Sequence, residues 1–273
     1  MYTQNYKEST FTCKRDNFII RGHILQSKEA HGLLIPVIIS HGFMGNQNEA
    51  RPEAEALAEA GYVAVIYDFV GGASDSESDG TPLDMTIFSE KEDLRVVMRY
   101  VQTLEYVDAS RLVLIGCSQG GLVSGLIAVD VPEEVNRLIL MYPALCIPDD
   151  ARDGNMLMFH FDPTQIPDVI ESEEFSLRGD YAKQVLDMDA INIISNYPGK
   201  VLVICGKEDL IVDYSYMTRI MTVFSAKRGY GAFDFEQQTH PDLQFFPIEQ
   251  AKHGFTEAEH AMVISQINHF MNK

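Results

Sequence analysis

The stretch RLVLIGCSQGGLVSG, residues 111–125, decides how the chain is read. An aliphatic run over 112–115 ends abruptly in Gly116-Cys117-Ser118-Gln119-Gly120, and a helix-like segment follows at once. Glycines two positions before and two positions after a serine have a steric meaning at such a junction. When a strand turns sharply into a helix, the serine is forced into a strained conformation and those two neighbours press against backbone, so only glycine fits. The serine is then lifted above the helix N-terminus, whose dipole favours negative charge. With glycine and serine each near 7% of residues, the pattern arises by chance about 0.1 times in a chain of this length. An ordinary glycine turn is the alternative, and the neighbouring segments bear on the choice.

Working outward, short apolar runs alternate with helical patterns. FTCKRDNFIIRGHILQ (11–26) reads as an antiparallel hairpin turning at Asp16-Asn17. LLIPVIIS (33–40), VAVIYDF (63–69), RLVLIG (111–116), RLILMYP (137–143), KVLVICG (200–206) and DLQFFPI (242–248) read as strands. Helical spacing is expected in NEARPEAEALAEAGY (48–62), closing on Gly61, and in 84–104, with Leu94, Val97, Met98, Val101 and Leu104 on one face. Further helices are expected from Gln119 to about Val129, in DYSYMTRIMTVF (213–224) and over 256–272. Strands with so little polar alternation must be buried on both faces, which predicts an α/β fold with a mostly parallel central sheet flanked by helices. The connection 144–197, after the sixth strand, is far longer than one helix requires. It carries Pro148, Pro163, Pro167 and the cluster MLMFHF (156–161), and is expected to form a cap insertion between core segments 1–143 and 198–273. Exposed apolar side chains there need something to cover. Met156 and Phe159 are candidates for lining a substrate pocket beneath the cap.

Ligands of such sheets bind at the carboxyl ends of the strands. After the strand at 33–40 comes His41-Gly42-Phe43-Met44-Gly45, whose Phe43 N–H could join that of Gln119 in stabilising an oxyanion. After 200–206, Glu208, Asp209 and Asp213 compete as the carboxylate that orients a histidine. Asp213 suits a helix N-cap, which leaves Asp209, three residues past Gly206, preferred. After 242–248, His253 lies on a loop beside Gly254. His260 and His269 fall on the last helix, His240 precedes its strand, and His41 belongs to the glycine loop. His253 is therefore the expected base, and Ser118, Asp209, His253 the expected catalytic order along the chain. HExxH, P-loop and GxGxxG patterns do not occur, and the chemistry expected here uses no metal or organic cofactor.

On HGFMGN, YDFVGGASDSESDG, SEKEDLRVVMRYV, GCSQGG, GKEDLIV and KHGF, the chain resembles α/β-hydrolase-fold serine esterases and, within them, bacterial cinnamoyl and feruloyl esterases. The likeness runs from the hairpin near Phe18 to the last helix. It implies hydrolysis of carboxylic esters by a Ser118–His253–Asp209 triad, with an oxyanion hole from the Phe43 and Gln119 N–H groups. Cys117 stands where many relatives have histidine, and the usual Gly-x-Gly-x-Ser loop is here Gly71-Gly72-Ala73-Ser74. A short-chain aliphatic carboxylesterase, a small peptidase with the same triad and a silent ligand-binding scaffold remain alternatives.

The chain has 273 residues, 46% of them hydrophobic, enough for one large domain, and a formal net charge of −19. Such acidity disfavours nucleic acid and anionic membranes. The expected partner is a small-molecule ester; oligomeric state is open, a homodimer included. Cys13, Cys117, Cys146 and Cys205 are scattered without a CxxC pair, which suggests a reducing compartment. The polar N-terminal segment lacks a signal-peptide core and no run approaches a bilayer span of about 20 residues. A cytoplasmic location is expected.

Overall fold

The computed structural model describes residues 5–237, 239–240 and 242–273; residues 1–4 of the expected first core segment lie outside it. Strands β1 (Tyr6–Arg15) and β2 (Phe18–Ser27) pair antiparallel, with Arg15 opposite Phe18. Their turn is the expected Asp16-Asn17, and Asp16 takes the left-handed φ of 53°. Then follow β3 (Pro36–Ser40), α1 (Arg51–Glu59), β4 (Val63–Tyr67), α2 (Ile87–Gln102), β5 (Val113–Cys117), α3 (Gln119–Asp130) and β6 (Arg137–Met141). Thr86 caps α2 by accepting the Ser89 N–H, and Leu104, expected on that helix's apolar face, lies beyond its end.

The long connection contains α4 (Ile147–Asp153), the short hairpin β7 (Asn155–Met156) and β8 (Phe159–His160), a second hairpin of β9 (Val169–Glu171) and β10 (Ser176–Arg178), and helices α5 (Asp180–Lys183) and α6 (Ala190–Ile194). After it come β11 (Lys200–Gly206), α7 (Tyr214–Lys227), β12 (Thr239–His240), β13 (Leu243–Ile248) and α8 (Glu257–Met271).

Among the described residues one nine-stranded sheet runs β1-β2-β4-β3-β5-β6-β11-β13-β12. From β4 to β13 every neighbouring pair is parallel; the antiparallel pairs are at the two edges. The unbroken apolar strands are explained by their two faces. Along β4, Val63, Val65 and Tyr67 enter a core covered by α2, α3, α6 and α7, while Ala64 and Ile66 enter a second core beneath α1 and α8. Both cores need apolar side chains, so the period of two disappears from the sequence. Among the described residues no helix is long and apolar enough to cross a membrane.

The cluster MLMFHF is only partly covered, which corrects the expectation. Met156 and Phe159 are buried, at 5% and 1% exposure, but Leu157 and Met158 stay at 48% and 42%. The pair forms the turn between β7 and β8, Leu157 at a φ of 52°, and the turn carries both side chains outward.

Helices α1 and α8 are tied by a buried pair. His260 Nδ1 lies 2.5 Å from Oε1 of Glu53, a side chain with no exposure, whose other oxygen has no partner among the described residues. The bond to Glu53 raises the His260 imidazole above its ordinary pKa, against a smaller opposing effect of burial. The pair's stabilisation is therefore complete below about pH 6.5, the unfolded value, and is lost as pH rises through the raised one. His260→Ala should lower stability by about 3 kcal/mol at pH 6, because a buried carboxylate loses its partner. Urea melts of both proteins at pH 6 and pH 9 check this: the difference between them should shrink at the higher pH.

Candidate active site

Ser118 follows β5 directly and precedes α3, with φ 49° and ψ −116°. The two glycines around it are required by close approach. A Cβ on Gly116 would lie 2.2 Å from the Gly120 carbonyl oxygen, and one on Gly120 would lie 2.4 Å from that of His41 and 2.5 Å from that of Ser40. The elbow is thus wedged against the end of β3, and the serine takes up the backbone strain. A Cβ on Gly206 would meet the Ala251 carbonyl oxygen at 2.1 Å, so β11 ends against the loop that carries His253.

These contacts bring together Ser118, His253 and Asp209, which lie far apart in sequence. His253 Nε2 lies 2.9 Å from Ser118 Oγ, and its Nδ1 lies 2.8 Å from Asp209 Oδ2. The other Asp209 oxygen accepts the N–H groups of Ile211 and Val212 at 2.8 and 2.9 Å, which fixes the carboxyl plane. With Asp209 as acceptor, Nδ1 carries the proton and Nε2 is free to accept from the serine hydroxyl. The competing acids lie elsewhere: Asp213 caps α7 through the Ser215 N–H, and Glu208 is exposed. Cys117 is fully buried and its thiol is pushed well up by burial and by Glu49 and Glu53, so it is a core side chain without thiolate character.

Phe43, Ser118 and Gln119 line one pocket. Neither the Phe43 nor the Gln119 N–H donates to a protein acceptor among the described residues. The remaining walls come mainly from the 144–197 connection. Met156 and Phe159 are both there, with Leu157, Leu177 and Ile211 adding apolar surface. Phe43, Phe159 and Phe175 pack ring against ring, with centroids 5.4–6.4 Å apart. A larger polar cavity between α4 and α7, around Asp149, Arg152 and Arg219, has no serine, cysteine or histidine among its lining residues.

Two polar wall residues escaped the sequence reading. Asp150 lies among other acids in PDDARD, yet it lines the pocket, and burial with Asp149 and Asp153 nearby raises its carboxyl above the ordinary range despite a bond to Cys146. Tyr181 offers no local signal. Its ring lies 5.9 Å from that of Phe43 and its hydroxyl donates to Gln119 Oε1. Gln119 Nε2 in turn donates to Glu90 Oε1 at 2.8 Å.

Glu90 is wholly enclosed, and burial first, with Asp93 adding, pushes its carboxyl well above the usual range; Gln119 and Arg15 oppose this without reversing it. It is held neutral. A folded pKa above the unfolded one means that stability is full below about pH 4.3 and is lost as pH rises toward the raised value. Glu90→Gln, which keeps shape and neutrality, should therefore raise the melting temperature at pH 8 and leave it nearly unchanged at pH 4.5. Calorimetry at the two pH values checks the sign.

A family model for the alpha/beta hydrolase fold matches residues 35–182, more than half of the chain. Among solved structures, Est1E from Butyrivibrio proteoclasticus with ferulic acid bound superposes with a TM-score of 0.83 at 24% identity, over 96% of this chain and 97% of that one. Alpha/beta hydrolase domain-containing protein 10 from mouse gives 0.69 at 18% identity, over 97% and 98%. The Pyrococcus furiosus esterase Pf2001 gives 0.67 at 18%, over 98% and 91%. At these identities the likeness is one of fold. An uncharacterized 31.7 kDa protein from Escherichia coli, in the traX-finO intergenic region, is 34% identical over 86 residues, 31% of this chain; the match spans only 29% of that relative's length. On the family match and the fold together, the chain belongs to the alpha/beta hydrolase fold family.

Proposed function

We propose that the protein is a serine hydrolase of carboxylic esters that works through an acyl-enzyme on Ser118. The observation that carries this reading is the continuous path from Ser118 Oγ through His253 to Asp209, at 2.9 and 2.8 Å. His253 Nε2 takes the hydroxyl proton as Oγ bonds to the ester carbonyl carbon. Asp209 holds the imidazole tautomer and stabilises the imidazolium. The Phe43 and Gln119 N–H groups donate hydrogen bonds to the carbonyl oxygen as negative charge develops on it. Collapse breaks the ester C–O bond, His253 protonates the departing alcohol, and water then attacks the acyl carbon by the same route. No step calls for a metal or an organic cofactor. A silent binding scaffold would have no use for a nucleophile held at a left-handed φ.

Segment 144–197 acts as the cap in this reading, and the pocket beneath it sets the acyl group. The free space beside Ser118 is about 40 Å³. At about 10–15 Å³ per water-sized probe, that admits only a few heavy atoms. This favours acetyl to butyryl esters. The narrower cinnamoyl or feruloyl reading is supported by the fold shared with Est1E, whose structure holds ferulic acid, and by Asp150 and Tyr181 as polar groups in an otherwise apolar wall. It requires the half-exposed Leu157 and Ile211 at the pocket wall to move aside.

Hydrolysis of p-nitrophenyl acetate, butyrate and octanoate, methyl ferulate and methyl p-coumarate separates these readings. Acetate and butyrate should turn over, and Ser118→Ala should lower kcat by about 10⁴-fold or more. Cys117→Ala should keep most of the rate. Efficient turnover of methyl ferulate would assign the wider pocket; activity surviving Ser118→Ala would remove the serine mechanism.

A further inference from the structure

Glu49 is not used in this mechanism, yet it touches both sides of the site. It ends the turn that follows the glycine loop, its own N–H bonded to the Asn46 carbonyl at 3.0 Å. Its Oε2 accepts the Gly42 N–H at 2.7 Å, and its Oε1 accepts the Tyr142 hydroxyl at 3.2 Å. Both oxygens act as acceptors, as those of an ionised carboxylate do.

The glycine loop is built around this carboxylate. A Cβ on Gly42 would lie 3.1 Å from Ser118 Cβ and 3.2 Å from Glu49 Oε1. One on Gly45 would lie 2.5 Å from Glu49 Oε2. Neither glycine has a positive φ, so close approach explains both of them. The loop backbone at Gly42 therefore lies close to both Ser118 and the Glu49 carboxylate, one residue before the Phe43 N–H.

The other arm reaches the base. Tyr142 immediately follows β6 at a left-handed φ of 37°, and its N–H is bonded to the Ile204 carbonyl at 2.7 Å. The edge-on contact of its ring with His253 has centroids 4.9 Å apart, and the ring packs on Phe255 at the same distance. A bulky residue held in a disfavoured backbone conformation needs anchors, and the Glu49 bond is one of them.

We infer that Glu49 is a positioning residue, which holds the oxyanion loop through Gly42 and the ring behind His253 through Tyr142 in one fixed relation. Charge-assisted bonds of this kind are about twice as strong as neutral ones. They matter most where a misplacement of about 1 Å costs about 10²-fold in rate. The inference rests on the proposed triad.

The test uses kcat and KM on p-nitrophenyl acetate, the rate of Ser118 labelling by a fluorophosphonate, and the thermal midpoint of each variant. Glu49→Ala should lower kcat and the labelling rate by about 10–100-fold while KM changes by less than about threefold. Glu49→Gln, which can still accept from Gly42 and donate to the Tyr142 oxygen, should recover most of the loss. Tyr142→Phe should show a smaller fall in kcat with KM unchanged, and combining it with Glu49→Ala should add nothing. A folded Glu49→Ala that turns over and labels at the wild-type rate overturns the inference. If Glu49→Ala does not fold, wild-type kcat in Tyr142→Phe overturns it instead. Failure of the wild-type protein to be labelled at Ser118 marks a different fault, that of the triad itself, and removes both.

Discussion

The backbone crossing at the end of β5 has no room for side chains. The Ser40 and His41 carbonyl oxygens occupy the space where a Cβ on Gly120 would sit, and the Gly120 carbonyl does the same to Gly116. Everything else in the site depends on that contact. It holds Ser118 at a φ of 49°, fixes the first turn of α3, and brings the glycine loop after β3 within reach of the serine. The loops after β11 and β13 then have only to deliver Asp209 and His253 to a point already defined by the central strands. A parallel sheet does this readily, because all of these strands end on the same edge.

The connection between β6 and β11 meets this rigid centre at a few points. Tyr181 is the most informative, since it packs on Phe43 and bonds to Gln119, the two residues whose N–H groups face the proposed oxyanion. Behind Gln119 stands the enclosed Glu90 of α2. Pocket wall, helix start and core helix are therefore joined by direct hydrogen bonds. Deeply buried polar chains of this sort lose more when one member is removed than a surface bond would, because the partners are left without acceptors.

The fold was legible in the sequence because each core strand is short, apolar and followed by punctuation. The Gly116/Gly120 spacing, the HGFMG loop and the Gly254 beside His253 are local consequences of backbone geometry, and such constraints write themselves into nearby residues. Ser118, Asp209 and His253 were picked out by their places on the loops that follow strands and by setting aside competing acids and histidines, and the structure brings those side chains together. The pocket was not legible in the same way. Asp150, Tyr181 and Leu177 line the pocket beside Ser118 from α4, the four-residue α5 and a short hairpin, with no periodicity to mark them. Met156 and Phe159 were visible as apolar residues in a polar stretch, but the outward turn of Leu157 and Met158 depends on a left-handed backbone that their residue types do not announce. Glu49 was hidden for the opposite reason. It lies in a polar segment that reads as a helix start, while its partners lie at positions 42 and 142.

In the proposed mechanism a covalent bond forms at Ser118 during every turnover. The most direct measurement is to mix the protein with p-nitrophenyl butyrate, quench in acid within the first turnover, and locate the added mass by peptide mass spectrometry. A butyryl group on the peptide containing Ser118, assigned to the serine oxygen by fragmentation and absent from His253→Ala, is the predicted result. Turnover with no adduct, or with the adduct on Cys117, would contradict a serine acyl-enzyme.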